Sequence, residues 1–201
     1  MMSKGKFIII EGIDGCGKGT QTKKLVSYFR KQKKEVKSLS YPDRNGPIGA
    51  LIDQYLHRKY NFSKEVQFLL YFSDFLKDKE AIKKWLSEGK IIVADRYFLS
   101  TLAYQSIGGF PIGRGLEAAK LFELPKPDVI IYLDINSTTS LERKFGQKGM
   151  LDRHEADAKF QKNLTRVYGE LARKKALARW VTIDGEKSEE EVFKEIKKAV
   201  K

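Results

Sequence analysis

The chain has 201 residues, a single cysteine and a formal net charge of +13, with 39 Lys and Arg against 26 Asp and Glu. That length suits one well-buried α/β unit, no apolar run approaches the ~20 residues that span a bilayer, and a lone cysteine makes no internal disulfide, so the cytoplasm is the expected compartment. The apolar stretch at 7–10 is too short for a secretory leader.

Phe7-Ile8-Ile9-Ile10 predicts a buried strand, and a glycine-rich turn follows it: Glu11-Gly12-Ile13-Asp14-Gly15-Cys16-Gly17-Lys18-Gly19-Thr20. A helix is expected over 18–33. Gly12 and Gly17-Lys18 have the spacing of a phosphate-binding loop between strand and helix. Glycines let consecutive backbone N–H groups turn inward around phosphate oxygens. The helix N-terminus adds unpaired N–H groups and a positive dipole end, and Lys18 adds a mobile charge. Cys16 reads as a small filler of this loop rather than a redox control.

The pattern then alternates. A short strand is expected at 36–40, a helix at 48–57 and one long helix at 63–87. A third buried strand at 91–94 is closed by Asp95-Arg96. Helices follow at 99–106 and 114–122, then a strand at 129–133 after Pro125 and Pro127. A helix at 138–144 is interrupted by Gly146-Gln147-Lys148-Gly149. A helix at 155–178, a strand at 180–183 and a helix at 188–201 complete the chain, with Ser188 and Glu191 able to form a capping box. Apolar strands alternating with helices predict a five-stranded parallel sheet covered on both faces. Ligands in such sheets bind beyond the carboxyl ends of the strands, where the phosphate loop, Arg44, Asp95 and Arg96 all fall. Residues 66–76 are apolar around most of a helix, which predicts contact with the core, a ligand pocket and a second subunit. The lysines crowd the ends of the first and last helices without interleaved aromatics, so they read as solvated faces and no nucleic-acid partner is expected.

Gly17-Lys18-Gly19-Thr20-Gln21 resembles the loop of adenylate kinases and other nucleoside monophosphate kinases, with Gly19 where many phosphate loops carry Ser or Thr. No Asn-Lys-x-Asp guanine-reading motif is present. Asp95-Arg96-Tyr97, then Ser100 and Ala103-Tyr104-Gln105, taken with the loop, resembles the thymidylate kinase family. Tyr41-Pro42-Asp43-Arg44 with Ile48-Gly49 is similar to that family's Pro-Glu-Arg segment. Leu124-Pro125-Lys126-Pro127-Asp128 and Tyr132-Leu133-Asp134 are similar to its fourth strand. Gly149-Met150-Leu151-Asp152-Arg153-His154-Glu155 is similar to its lid.

The resemblance implies a three-layer α/β/α P-loop kinase fold with a short lid at about 142–155, in one domain over 1–201. It implies transfer of the γ-phosphoryl of ATP to dTMP, with Mg²⁺ as cofactor and a homodimer as the assembly. ATP would lie on the loop from Gly12 to Thr20, including Ile13, Asp14, Gly15, Cys16 and Gly17, with Lys18 on the donor phosphates. The monophosphate would meet Asp14, Arg44, Tyr71, Phe75, Arg96, Ser100, Tyr104 and Gln105. Arg44 and Arg96 would clamp its phosphate, Asp14 would lie near the 3′-hydroxyl, Tyr104 would crowd the 2′-position and Tyr71 would stack on the base. Asp95 would organise the metal. Gly15-Cys16 occupy the place where some members carry a catalytic arginine, so the lid is expected to supply it, with Arg143, Lys144, Lys148 and Arg153 available and Lys148 the best candidate for plain solubility. Phe75 stands where the family usually has an arginine that reads the thymine carbonyl. A kinase of different or relaxed base choice, and a basic nucleotide- or nucleic-acid-binding P-loop protein without kinase activity, are the alternatives.

Overall fold

The computed structural model describes residues 5–145, 153–154 and 157–201. Five strands form one sheet in the order β2-β3-β1-β4-β5, every neighbouring pair parallel. They are β1 (Lys6–Glu11), β2 (Val36–Ser40), β3 (Ile91–Asp95), β4 (Val129–Asp134) and β5 (Trp180–Asp184). Between and after them run α1 (Lys18–Lys31), α2 (Pro47–Leu56), α3 (Lys64–Leu76), α4 (Lys79–Ser87), α5 (Phe98–Ile107), α6 (Ile112–Leu121), α7 (Ser137–Phe145), α8 (Ala158–Arg173) and α9 (Glu189–Ala199).

The two-residue period of a strand sends alternate side chains to opposite faces, and β1 shows how this builds three layers. Ile8 and Ile10 pack with Leu25, Val26 and Phe29 of α1, Leu164 and Tyr168 of α8, and Val192 and Ile196 of α9. Phe7 and Ile9 pack on the other face with Phe68, Phe72 and Phe75 of α3 and Phe98, Leu99 and Leu102 of α5. Both faces of the central strands are apolar because both are covered, and each fully buried large side chain contributes about 1.5–3 kcal/mol. A small satellite core of Ile52, Tyr55 and Leu56 seats α2 against Phe62, Leu70 and Tyr71.

Three expectations need correction. The long helix at 63–87 is two helices, broken at Lys77 and Asp78, where the Tyr41 hydroxyl and the Lys77 ammonium both bind the Asp78 carboxylate. The helix expected at 155–178 begins at Ala158, capped by Asp157 accepting from the Phe160 N–H, and ends at Arg173 before two residues with positive φ, Lys175 and Leu177. The helix expected from 114 already begins at Ile112. The capping box on α9 is present as read, with Ser188 and Glu191 bonded reciprocally.

Candidate active site

β1 delivers the phosphate loop, β3 delivers Asp95 and Arg96, and β2 leads into Tyr41 to Arg44, all at the carboxyl edge of the sheet. A cavity of about 490 Å³ opens there. Asp14, Gly15, Gly17, Lys18, Gly19, Thr20, Arg44, Tyr71, Phe75, Asp95, Arg96, Ser100, Tyr104 and Gln105 line it, and so do Lys23, Tyr41, Leu56, Thr101 and His154.

Local geometry explains the loop. A Cβ on Gly12 would come within 2.7 Å of both the Cys16 sulfur and the Leu133 carbonyl oxygen, so only glycine fits where β1 turns against β4. α1 starts after Gly17 at φ 93°, with no side-chain cap and no acidic residue in its first turn. Its first N–H groups and positive dipole end are therefore left to an anion. Lys18 is buried, and its ammonium donates to the Ile13 carbonyl at 2.8 Å beside the Cys16 sulfur. Gly12, Ile13 and Cys16 do not line the cavity; they are packed behind it, where burial pushes the Cys16 thiol up, as suits a filler.

Arg96 is the hub. Its backbone is in the left-handed region at φ 66°. Its guanidinium donates to the Gly12 carbonyl (3.0 Å), Ser100 Oγ (3.1 Å), Asp14 Oδ1 (2.5 Å) and the hydroxyls of Tyr104 (3.2 Å) and Tyr168 (3.4 Å). Burial works against its charge, but Asp14, then Tyr104, Tyr168 and Glu11, outweigh that and hold it protonated well above its ordinary range. Tyr104 also donates to Asp14 Oδ2 at 2.8 Å, and the Ser140 hydroxyl donates to the Asp14 carbonyl, tying α7 to the loop.

Arg44 is exposed and paired with Asp53 at 3.2 Å. The segment that carries it is held from α3. Buried Asp74 accepts from the Asp43 N–H at 2.8 Å, and Lys77 bridges Asp43, Asp74 and Asp78. Phe75, on the same turn, is buried and packs edge-on against Tyr41 (4.8 Å) and Tyr97 (5.4 Å).

Arg143 and Arg153 do not line the cavity. Arg143 donates to the Gly185 carbonyl at 3.1 Å. Arg153 donates to the Tyr60 carbonyl (3.1 Å) and Asn61 Oδ1 (2.8 Å), with its guanidinium 4.3 Å from the Tyr55 ring. Lys148 and the lid residues Gly149 to Asp152 and Glu155 lie outside the described residues, as does the side chain of Lys144. The neighbour of Arg153, His154, is one of the cavity residues that reasoning from sequence left without a role. It stacks on Phe160 at 4.6 Å, meets Tyr104 edge-on at 5.6 Å, and burial lowers its imidazole to about 4. Glu11 and Tyr168 were also missed: Glu11 stands at the head of the phosphate-loop stretch and Tyr168 in a late helix, and nothing in the sequence pairs them across 157 positions.

A phosphate loop at the head of a parallel sheet, with two arginines and an aromatic wall on the same cavity, defines a P-loop nucleoside monophosphate kinase. Residues 10–196 match the family model described as thymidylate kinase. The chain belongs to the thymidylate kinase family, whose members are ATP-dependent phosphotransferases acting on a nucleoside monophosphate. It is 36% identical over 197 residues to a thymidylate kinase of Dictyostelium discoideum, covering 98% of this chain and 85% of the relative. It is 37% identical over 206 residues to one from Thermoanaerobacter sp. (strain X514), covering 98% of each. Among solved structures, the thymidylate kinase of Candida albicans superposes with a TM-score of 0.75 at 26% identity, covering 98% of this chain and 91% of that one; its published description reports broad substrate specificity.

Proposed function

We propose that residues 1–201 work as one catalytic unit that transfers the γ-phosphoryl of ATP to dTMP, with the cavity residues in the following roles. The observation that carries the assignment is that donor-type and acceptor-type phosphate groups share one cavity: Lys18 at an uncapped helix start, and Arg44 and Arg96 from two other strand ends. A monophosphate has its second pKa near ~6 and is mostly dianionic at neutral pH. It needs alignment and positive charge rather than a general base. Lys18 and the α1 amides hold the donor phosphates. Arg44 and Arg96 hold the acceptor phosphate, a task suited to a planar guanidinium. Asp14 and Tyr104 face the sugar, and Tyr71 and Gln105 the base.

No group of three or more His, Cys, Asp or Glu forms a metal cage among the described residues. What is present is one hard carboxylate, Asp95, at a strand end, with Oδ2 3.4 Å from where a Gly19 Cβ would stand. That donor set fits Mg²⁺, which keeps several waters and takes phosphate oxygens. When bound, Mg²⁺ neutralises charge developing on the transferring group. Arg153 or Arg143 supplies the remaining positive charge from the lid; Arg153 adjoins cavity-lining His154, and its side chain donates hydrogen bonds to the exposed Tyr60 and Asn61.

No helix among the described residues is long and apolar enough to cross a membrane, and we place the enzyme in the cytoplasm without a nucleic-acid partner. We assign the homodimer surface to α3 and the end of α6, where Val66, Leu69, Leu121 and Phe122 are exposed. Leu69→Glu should convert a dimer to a monomer in light scattering, and a wild type that is monomeric at micromolar concentration refutes the assignment. Relaxed base choice is the second reading, favoured by apolar Phe75 in the cavity. Coupled ADP release measured across all common ribo- and deoxyribo-monophosphates tests both: dTMP must lead for the first, several bases must compete for the second, and no stimulation by any monophosphate refutes both.

A further inference from the structure

Glu11 closes β1 with its side chain fully buried, and no step of phosphoryl transfer described above uses it. Its Oε1 accepts from the Tyr97 N–H at 2.9 Å, and its Oε2 accepts from Ser100 Oγ at 2.7 Å and the Tyr168 hydroxyl at 2.9 Å. Those two hydroxyls are the ones that accept from Arg96 Nη1.

We infer that Glu11 is a positioning residue for the acceptor-phosphate clamp, acting on Arg96 through Ser100 and Tyr168. A hydroxyl has one proton. While Glu11 is ionised, both hydroxyls give that proton to Oε2 and turn lone pairs to the guanidinium. The Tyr97 bond fixes the backbone directly after Arg96, whose left-handed φ of 66° costs a non-glycine residue energy and needs support from its surroundings. Burial raises the Glu11 carboxyl, while the Arg96 charge and these hydrogen bonds oppose that, so the carboxylate and the guanidinium stabilise each other. Glu11 touches no substrate; it sets the direction in which Arg96 points. The inference rests on the reading of Arg96 as the clamp.

Glu11→Gln tests it with almost no change of shape. If the amide oxygen keeps the Tyr97 bond, the NH₂ faces Ser100 and Tyr168 and drives their protons toward Arg96. If the amide flips, its NH₂ meets the Tyr97 N–H. Either way one element of the clamp is lost. The KM for dTMP should rise about tenfold, the scale of coupling between groups in one hydrogen-bond network, while the KM for ATP stays within about twofold. In an Arg96→Lys background the same change should add nothing to the dTMP KM, which a purely structural defect would not reproduce. Tyr168→Phe removes one arm and keeps the charge, so it carries the test if Glu11→Gln does not fold; its dTMP KM should also rise selectively. An unchanged dTMP KM in a folded Glu11→Gln or Tyr168→Phe, beside an impaired Arg96→Lys, overturns this inference alone. So does an equal effect with and without Arg96. If Arg96→Lys itself leaves the dTMP KM unchanged, the clamp reading fails first and takes this inference with it.

Discussion

Arg96→Ala and Lys18→Ala remove one positive charge each from the same cavity, yet they should differ in stability while agreeing in rate. The Arg96 side chain is 13% exposed and faces Asp14, itself 21% exposed, with fully buried Glu11 beyond two hydroxyls. Removing one partner of a buried pair leaves the other uncompensated, at about 3–5 kcal/mol. Asp14 keeps the Tyr104 hydroxyl and some solvent, so the lower end, about 3 kcal/mol, applies. For a chain of this size each kcal/mol lowers Tm by roughly 2–4 °C, giving a drop of about 6–12 °C. The partners of Lys18 are a carbonyl and a sulfur, both neutral. Its loss should cost about 1 kcal/mol, or roughly 2–4 °C. Both variants should lose at least ~10²-fold in turnover, the usual result of deleting a charge that holds one of the reacting phosphates. Thermal unfolding followed by circular dichroism, beside steady-state ADP release with dTMP, measures both quantities. Equal melting temperatures for the two variants would refute the compensation argument, and near-normal turnover of either would refute the placement of the cavity.

His154 gives a pH prediction. Burial first, reinforced by Arg153 and Arg96 and opposed by Asp14 and Asp157, holds its imidazole at about 4. The unfolded chain takes up that proton near ~6.5 and the folded chain only near 4, so its contribution is complete above ~6.5 and is lost as pH falls toward 4. The shift corresponds to roughly 3 kcal/mol, reduced to about 2 by partial solvent access; denaturant curves at pH 7 and 4.5 should show this loss in wild type but not in His154→Phe, and parallel losses would refute it. Phe75→Arg should lower stability by about 3–4 kcal/mol, because it breaks the packing with Tyr41 and Tyr97. If the guanidinium reaches the base, discrimination of dTMP over other monophosphates should sharpen roughly 10- to 100-fold in kcat/KM; a wild type already strict for dTMP would show that another group reads the base. A Cβ on Gly49 would stand 2.0 Å from the Asp43 carbonyl oxygen. Gly49→Ala must therefore shift the segment bearing Arg44 and should raise the dTMP KM about tenfold with less effect on ATP; equal effects on both substrates would count against Arg44 as an acceptor-phosphate group.

The sheet was legible because its three central strands, β1, β3 and β4, are short apolar runs, and the phosphate loop because glycine spacing and a following lysine are a local signal. Arg96 was legible as a charge at a strand end. Its attachment was not, since Asp14, Tyr104, Tyr168 and Gly12 reach it from separate elements. The break at Lys77 and Asp78 has no glycine or proline to announce it and depends on Tyr41, 37 residues away. The same holds for Glu11: an acidic residue just before a phosphate loop has no meaning until the fold brings hydroxyls from α5 and α8 around it. Arg153 shows the converse, a motif residue whose position in the chain does not say which way its side chain turns.

The C-terminal end of α3 does two jobs at once. Tyr71 and Phe75 present their rings to the cavity, while Asp74 and Lys77, on the same stretch of backbone, tether the strap that bears Arg44. A rotation of that helix end by even a few degrees would move the nucleobase wall and the phosphate grip together. Selection for a new base along this helix is therefore never free of the distance between donor and acceptor: a mutation that enlarges the pocket for a purine also tugs the strap. Variants with altered base preference should accordingly arise in pairs, one change in the wall and a second at Asp43, Asp74 or Lys77 that returns the arginine to its place.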